Sequence, residues 1–232
     1  MFKLVVQFRI DQAKDLGSIN STTRTPAQTS QALFWTDHDL RVWNDGMLRL
    51  AVAQELDLVQ TARMLAMTHV SGGGAMIAGF EAKYHYWFWR PITAIHEADI
   101  DGNPDTEPDP TWQPLRTTPN HPEYSAAHCF HSSALGTALA AFFGTDSVPF
   151  SLDSRVTQTT REYRDFRDAL RDVELARTLA AFTSGTPVCE RHFLPVELQC
   201  RSLRSHGPKQ GRNCDNPTDS QRLQTRPSVN CE

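Results

Sequence analysis

From Met47 to Val70 the apolar residues Leu48, Val52, Leu56, Val59, Met64 and Met67 recur at helical intervals. A stripe with that period faces one side only if the segment is an α-helix. No apolar–polar alternation persists anywhere in residues 32–182, so strands are not expected. The expected fold class is all-α. A chain of 232 residues has room for one substantial core and too little for three domains.

Turn and breaker residues divide the chain. Residues 1–31 are a polar N-terminal segment, read as a loop ending near Gln31. A helix is expected from Ala32, with a break at Asn44-Asp45-Gly46 before the periodic stretch. Ser71-Gly72-Gly73-Gly74 punctuates that stretch, and without a GxxxxGK[ST] pattern it is not a nucleotide loop. The next helix runs from Ala75 to Trp89, rich in aromatics, and Pro91 ends or kinks it. Asp99 to Pro119 reads as a long irregular loop with five prolines. Pro122 and Glu123 are expected to open a helix that Gly144 stops, and Arg161 to Phe182 forms the last one. Residues 32–182 are thus the helical domain. Residues 183–232 hold four of the five cysteines and little periodicity, and are expected to be a disordered tail.

Several classes of function are disfavoured. A net charge of −4 with mixed signs argues against a broad nucleic-acid footprint. No apolar run is long enough for a membrane span, and the start is too briefly apolar for a signal peptide. The cysteines form no CxxC pair, so no zinc ribbon is expected. Nothing names a compartment or an oligomeric state.

Three places carry candidate chemistry. Lys83 and Arg90, seven residues apart, are expected on one face of one helix. A solvated basic face is the ordinary alternative, but the surrounding Tyr84, Trp87 and Trp89 argue for burial, and buried cations need an anion. His121 precedes a helix start and His128 lies in its second turn, with His131 beyond. Backbone N–H groups there favour an anion, and a neutral imidazole moves protons. Two ordinary histidines, or a His128–His131 metal pair, are the alternatives. Arg177 on the last helix has a surface salt bridge with Asp172 or Glu174 as its default.

Together these motifs carry a resemblance. Lys83-x6-Arg90-Pro91, then Pro122-Glu123-Tyr124-x-x-x-His128, then Arg177, is similar to the ordered three-part signature K-x6-R-P, P-S-G-H and S-R-x5-H. That signature belongs to the superfamily of vanadium-dependent haloperoxidases and type-2 phosphatidic acid phosphatases. The extended aromatic first motif resembles the haloperoxidase branch. The resemblance implies a helical bundle, incomplete here at both ends, with vanadate as cofactor and hydrogen peroxide and a halide as substrates. The phosphatase branch implies a phosphate ester instead. It implies that Lys83, Arg90, Arg177 and the Ala127 N–H bind the oxyanion and that His128 is the acid–base residue. His121 resembles a second pocket histidine. Ala126 stands at the serine position, so that hydroxyl is missing.

The departure is Thr183, which stands where the family has the vanadium-ligating or nucleophilic histidine. A threonine hydroxyl replaces neither role, so the activity is expected to be impaired, or reduced to phosphate binding without catalysis. A shifted reading frame at Phe182-Thr183 permits Phe-His-Leu-Arg-Tyr-Ala, which resembles the family continuation. The tail is therefore expected to be out of frame. The start is likewise expected to lack helices that the haloperoxidase branch carries.

Overall fold

The computed structural model describes residues 11–183. The expectations for the tail after Thr183 and for the first ten residues lie outside it. Within the described residues the protein is a helical bundle with one small hairpin. The order is α1 (Pro26–Phe34), α2 (Asp39–Ala53), α3 (Leu58–Tyr86), α4 (Pro91–His96), a 3-10 turn (Ala98–Ile100), α5 (Ala127–Phe143), β1 (Phe150–Ser154), β2 (Thr159–Tyr163) and α6 (Phe166–Leu179). Residues 11–17 are also helical.

The caps explain where the helices differ from the sequence expectations. α1 starts at Pro26 rather than Ala32, because Thr25 and Gln28 form a reciprocal capping box and Pro26 takes the first helical position. Asn44-Asp45-Gly46 does not break α2, which runs through to Ala53. The break falls later, where Asp57 and Gln60 form a second capping box and start α3. α3 then continues through Ser71-Gly72-Gly73-Gly74 for 29 residues. Tertiary contact overrides the low helix propensity of glycine here. A Cβ on Gly72 would lie 2.9 Å from His131 Nε2, and one on Gly79 would lie 2.4 Å from the Phe130 ring. Both glycines let α3 press against α5.

α3 ends at Tyr86, not Trp89. Trp87 adopts a left-handed conformation at φ 52°, and its N–H closes on the Lys83 carbonyl. Arg90 becomes the N-cap of α4, with Pro91 behind it. Lys83 and Arg90 therefore do not share a helix. α5 begins at Ala127, not at Pro122 or Glu123, which places His128 in the first turn. The expected helix from Arg161 starts instead at Phe166, capped by Asp165. Residues 159–163 are the second strand of an antiparallel hairpin, in the register Phe150–Tyr163 to Ser154–Thr159. β1 does alternate, with Phe150 and Leu152 buried and Ser151 and Asp153 only half-buried, so the expectation of no strand is corrected; β2 is polar and largely exposed and carries no such signal.

The core joins α1, α2, α5, α6 and the hairpin. Phe34, Trp35, Trp43, Met47, Leu135, Leu139, Leu152, Phe166 and Leu170 are buried in it. The buried indoles find partners: Trp43 Nε1 donates to Ser132 Oγ at 2.8 Å and Trp35 Nε1 to Asp172 Oδ2 at 2.7 Å. This core fixes α5 and α6, while α3 packs along α5 alone for most of its length. Among the described residues no helix is long and apolar enough to cross a membrane.

Candidate active site

Four segments meet at the ends of α3, α5 and α6. Lys83 comes from the last turn of α3, Arg90 from the α4 cap, His121 to Glu123 from the loop before α5, and Arg177 from α6. All three cations are buried. The Arg177 expectation of a surface salt bridge is corrected: Asp172 is taken by Arg161 at 2.8 Å and by the Tyr163 hydroxyl at 2.7 Å.

Backbone carbonyls orient these cations. Lys83 Nζ donates to the Pro122 and Glu123 carbonyls at 2.9 and 2.8 Å. Arg90 Nε donates to the His121 carbonyl at 2.7 Å, and its Nη1 donates to the Phe182 carbonyl. Arg177 Nη1 donates to the Trp35 carbonyl at 2.8 Å, and its guanidinium lies 4.1 Å from the centre of the Phe182 ring. Phe182 thus touches two of the three cations.

Burial weakens each cation's hold on its proton, and like-charged neighbours add to this at Lys83 and Arg177. Desolvation, and then Arg90 and Arg177, pull Lys83 down to about 7, although Glu123 opposes them. Burial lowers Arg90 to about 10 against the pull of Glu123. Burial lowers Arg177 to about 9, with Asp39 opposing and Arg90 assisting. Such depression marks cations stripped of water by burial.

Two histidines border the cluster, and both are held neutral. Burial, then Arg90 and Lys83, push His121 down to about 4. Arg90 Nη2 lies 2.9 Å from His121 Nδ1. A guanidinium only donates, so Nδ1 accepts and Nε2 carries the proton. The Pro122 carbonyl, 3.2 Å from the same Nδ1, is then a contact rather than a hydrogen bond. Burial and Arg177 push His128 down to about 3. Its Nε2 lies 3.2 Å from the Asp37 carbonyl and donates to it, which leaves the lone pair on Nδ1.

His131 is not part of this arrangement as a ligand. It is buried and its Nδ1 donates to Asp39 Oδ2 at 2.8 Å. Burial works to raise the Asp39 carboxyl, but the His131 hydrogen bond and the nearby imidazoles hold it at about 2. Among the described residues no group of three metal-candidate side chains forms, so the His128–His131 pair has no third partner.

Ala127 is the first residue of α5, behind a non-polar cap at Ala126. First-turn N–H groups have no acceptor within their own helix, so Ala127 presents one at the helix start. Thr183 is buried, and its Oγ1 donates to Glu123 Oε1 at 2.7 Å. The donor set therefore suits an oxyanion by charge, while position 183 offers no nitrogen donor.

Glu123, Asp39 and the carbonyls of Trp35, Pro122 and Phe182 were not picked out from sequence as parts of a site. Backbone acceptors carry no side-chain signal, and Glu123 looked like a residue of the first turn of a helix. A groove of about 1030 Å³ between α3 and α5, lined by Ala75, Ala78, Ala82, Phe130 and Ala134 among others, includes none of the cations. Its lining is mostly apolar and carries no charged side chain.

An all-α bundle with three buried cations gathered where its helices end is a recognisable class. The chain belongs to the family of the VCPO second helical-bundle domain, which matches residues 63–183. It is a relative of the vanadium haloperoxidases. A vanadium chloroperoxidase of Curvularia inaequalis is 30% identical over 144 residues, covering 51% of this chain and 23% of that protein. The structure of a bacterial vanadium-dependent iodoperoxidase aligns with a TM-score of 0.69 at 20% identity, over 87% of this chain and 49% of that one. This chain spans about a quarter of the first relative, and the second likeness is one of fold.

Proposed function

We propose that this chain carries the oxyanion pocket of a vanadium haloperoxidase-like enzyme, impaired at Thr183. The observation that supports it most is the burial of Lys83, Arg90 and Arg177 from three separate elements into one cluster. Lys83, Arg90 and Arg177, with the Ala127 N–H, would hold vanadate by charge and hydrogen bonds. Vanadate, when bound, would supply the centre at which hydrogen peroxide oxidises a halide.

The protein's own part is proton handling and positioning. His128 is held neutral by burial and the Arg177 charge and presents a lone pair on Nδ1, so it is placed to accept a proton there once a bound anion offsets that charge. His121 keeps its proton on Nε2 and is locked by Arg90, which suits a positioning donor in the same pocket. Thr183 cannot give the anion a protein bond through nitrogen. The anion is then fixed by charge and hydrogen bonds alone, and a misplaced reacting centre costs on the order of a hundredfold in rate.

A second reading, a phosphate-binding bundle without catalysis, is favoured by one observation: the Thr183 hydroxyl is engaged with Glu123. A phosphomonoesterase shares the pocket but needs a histidine nucleophile at that position. Dye bromination with added vanadate, peroxide and bromide, run beside hydrolysis of a phosphate ester, separates these readings. The chain as it stands is expected to show little bromination, and Thr183→His to raise it. Robust turnover by the unmodified chain would overturn the loss of function at Thr183. No gain with Thr183→His, in a folded protein that binds vanadate, favours the binding module.

A further inference from the structure

The cation cluster already contains an anion of its own. Glu123 is 7% exposed, and its carboxylate favours the charged forms of both Lys83 and Arg90. Its backbone is fixed on both sides. The N–H donates to the Phe88 carbonyl at 3.1 Å, and the carbonyl accepts from Lys83 Nζ at 2.8 Å. The side chain is fixed by the Thr183 hydroxyl at 2.7 Å. A carboxylate and a tetrahedral oxyanion present the same thing to a cation, namely negatively charged oxygen acceptors. The donors of these cations go to backbone carbonyls and to His121, so the Glu123 carboxylate competes with an incoming oxyanion through its charge.

We propose that Glu123 is the resident anion beside Lys83 and Arg90, tethered by Thr183, and that an oxyanion reaches its full affinity here only when that carboxylate is moved aside. This rests on the oxyanion reading given above and adds a determinant of affinity to it. The residue at position 183 has a double effect. It withholds a nitrogen donor from the incoming anion, and it fastens the competing carboxylate in place. An anion that meets a site open only a fraction of the time binds more weakly by that fraction. One anion can be more favourable than the other only by its differential contact with the cations. A tetrahedral dianion brings more charge and more acceptors than one carboxylate, so it is the kind of ligand able to win this exchange.

Calorimetric titration of the full chain with inorganic phosphate and with orthovanadate tests this. Glu123→Gln keeps the shape of the side chain and removes its charge. It is expected to bind phosphate at least about tenfold more tightly than the unmodified chain. Thr183→Val removes only the tether and is expected to give a smaller gain in the same direction. In anion-free buffer Glu123→Gln is expected to melt at a lower temperature, and phosphate is expected to raise its Tm more than that of the unmodified chain. If the unmodified chain binds phosphate and a folded Glu123→Gln binds it equally or more weakly, the proposal is overturned and the oxyanion reading stands. If neither protein binds phosphate or vanadate, both fall together. Should Glu123→Gln fail to fold without anion, Thr183→Val decides: an affinity equal to or below that of the unmodified chain overturns the tether and the competition it implies.

Discussion

The two faces of α3 are built to opposite rules. Its inner face buries Met64, Thr68, Gly72, Gly79 and Lys83, which follow one another at one- and two-turn intervals. Its outer face leaves Val70 77% and Ile77 76% exposed, and Gly73 and Gly74 face open space. On the inner face each residue is set by a neighbour: the glycines by α5, and Lys83 by the carbonyls of the 122–123 segment. On the outer face the described residues impose nothing. One helix therefore carries both the tightest packing beside the site and a surface whose side chains answer to no contact. The site end of α3 depends on the inner face alone.

The largest effect on that face is expected at Lys83. Its folded pKa is pulled to about 7 from an ordinary value of 10.5. Between these two values the unfolded chain holds a proton that the folded chain has released, so stability rises with pH across that window. Below about 7 Lys83 is charged in both states, and the cost of burying that charge is fully present. Anion binding runs the other way, because the cluster loses one positive charge as pH rises through the same value. Lys83→Met removes both trends. Thermal melts from pH 6 to 10 are expected to show a flatter Tm profile for the variant, and phosphate affinity is expected to fall by ~10- to 100-fold near pH 6, the worth of a charged hydrogen bond. A variant with the unmodified pH slope would mean that Lys83 is not the titrating group.

Next in size is Gly72→Ala. The added methyl would lie 2.9 Å from His131 Nε2 and 3.0 Å from Leu135 Cδ2. His131 is pinned by Asp39 at 2.8 Å, so its ring has nowhere to turn. Overpacking of this kind costs about 1–3 kcal/mol, and the gain in helix propensity offsets up to about 1 of it. A net loss of about 1–2 kcal/mol is expected in urea unfolding. An unchanged midpoint would show that α3 and α5 slide apart freely.

What the sequence disclosed follows the same division. The helical character was legible, but the Met47–Val70 stripe spans the end of α2 and the start of α3, and its Leu48, Val52 and Val59 are exposed; Lys83, Arg90 and Arg177 were legible through the ordered motif they resemble. The helix ends were less legible. Trp87 gives no hint in its side chain that it adopts a left-handed turn, and the Thr25–Gln28 and Asp57–Gln60 boxes were masked by polar surroundings. The hairpin was lost because the alternation of Phe150–Ser154 is confined to one strand, while its partner Thr159–Tyr163 is polar and mostly exposed. The glycine run was misread because the low propensity of glycine is a local property, while the need for close approach to His131 and Phe130 is a tertiary one. In the site, Glu123 escaped notice for a similar reason. Its role depends on burial near cations that come from other elements, which no local pattern encodes.

The smallest effect sharpens the contrast most, because it changes the neighbouring residue and reverses the sign. Gly73 follows Gly72 in the same helix, yet a Cβ there would meet nothing within 4 Å. No neighbour has to move, and no close approach is lost. What remains is the backbone term: glycine loses more conformational freedom on folding than alanine and costs about 0.5–1 kcal/mol in a helix interior. Gly73→Ala is therefore expected to stabilise the chain by about that amount, chiefly through the unfolded state, with anion affinity unchanged. Urea unfolding of the two single variants side by side is the measurement, with one midpoint expected to fall and the other to rise. A loss of stability in Gly73→Ala would mean that this face of α3 is covered in the folded protein, and the division between its two faces would no longer hold.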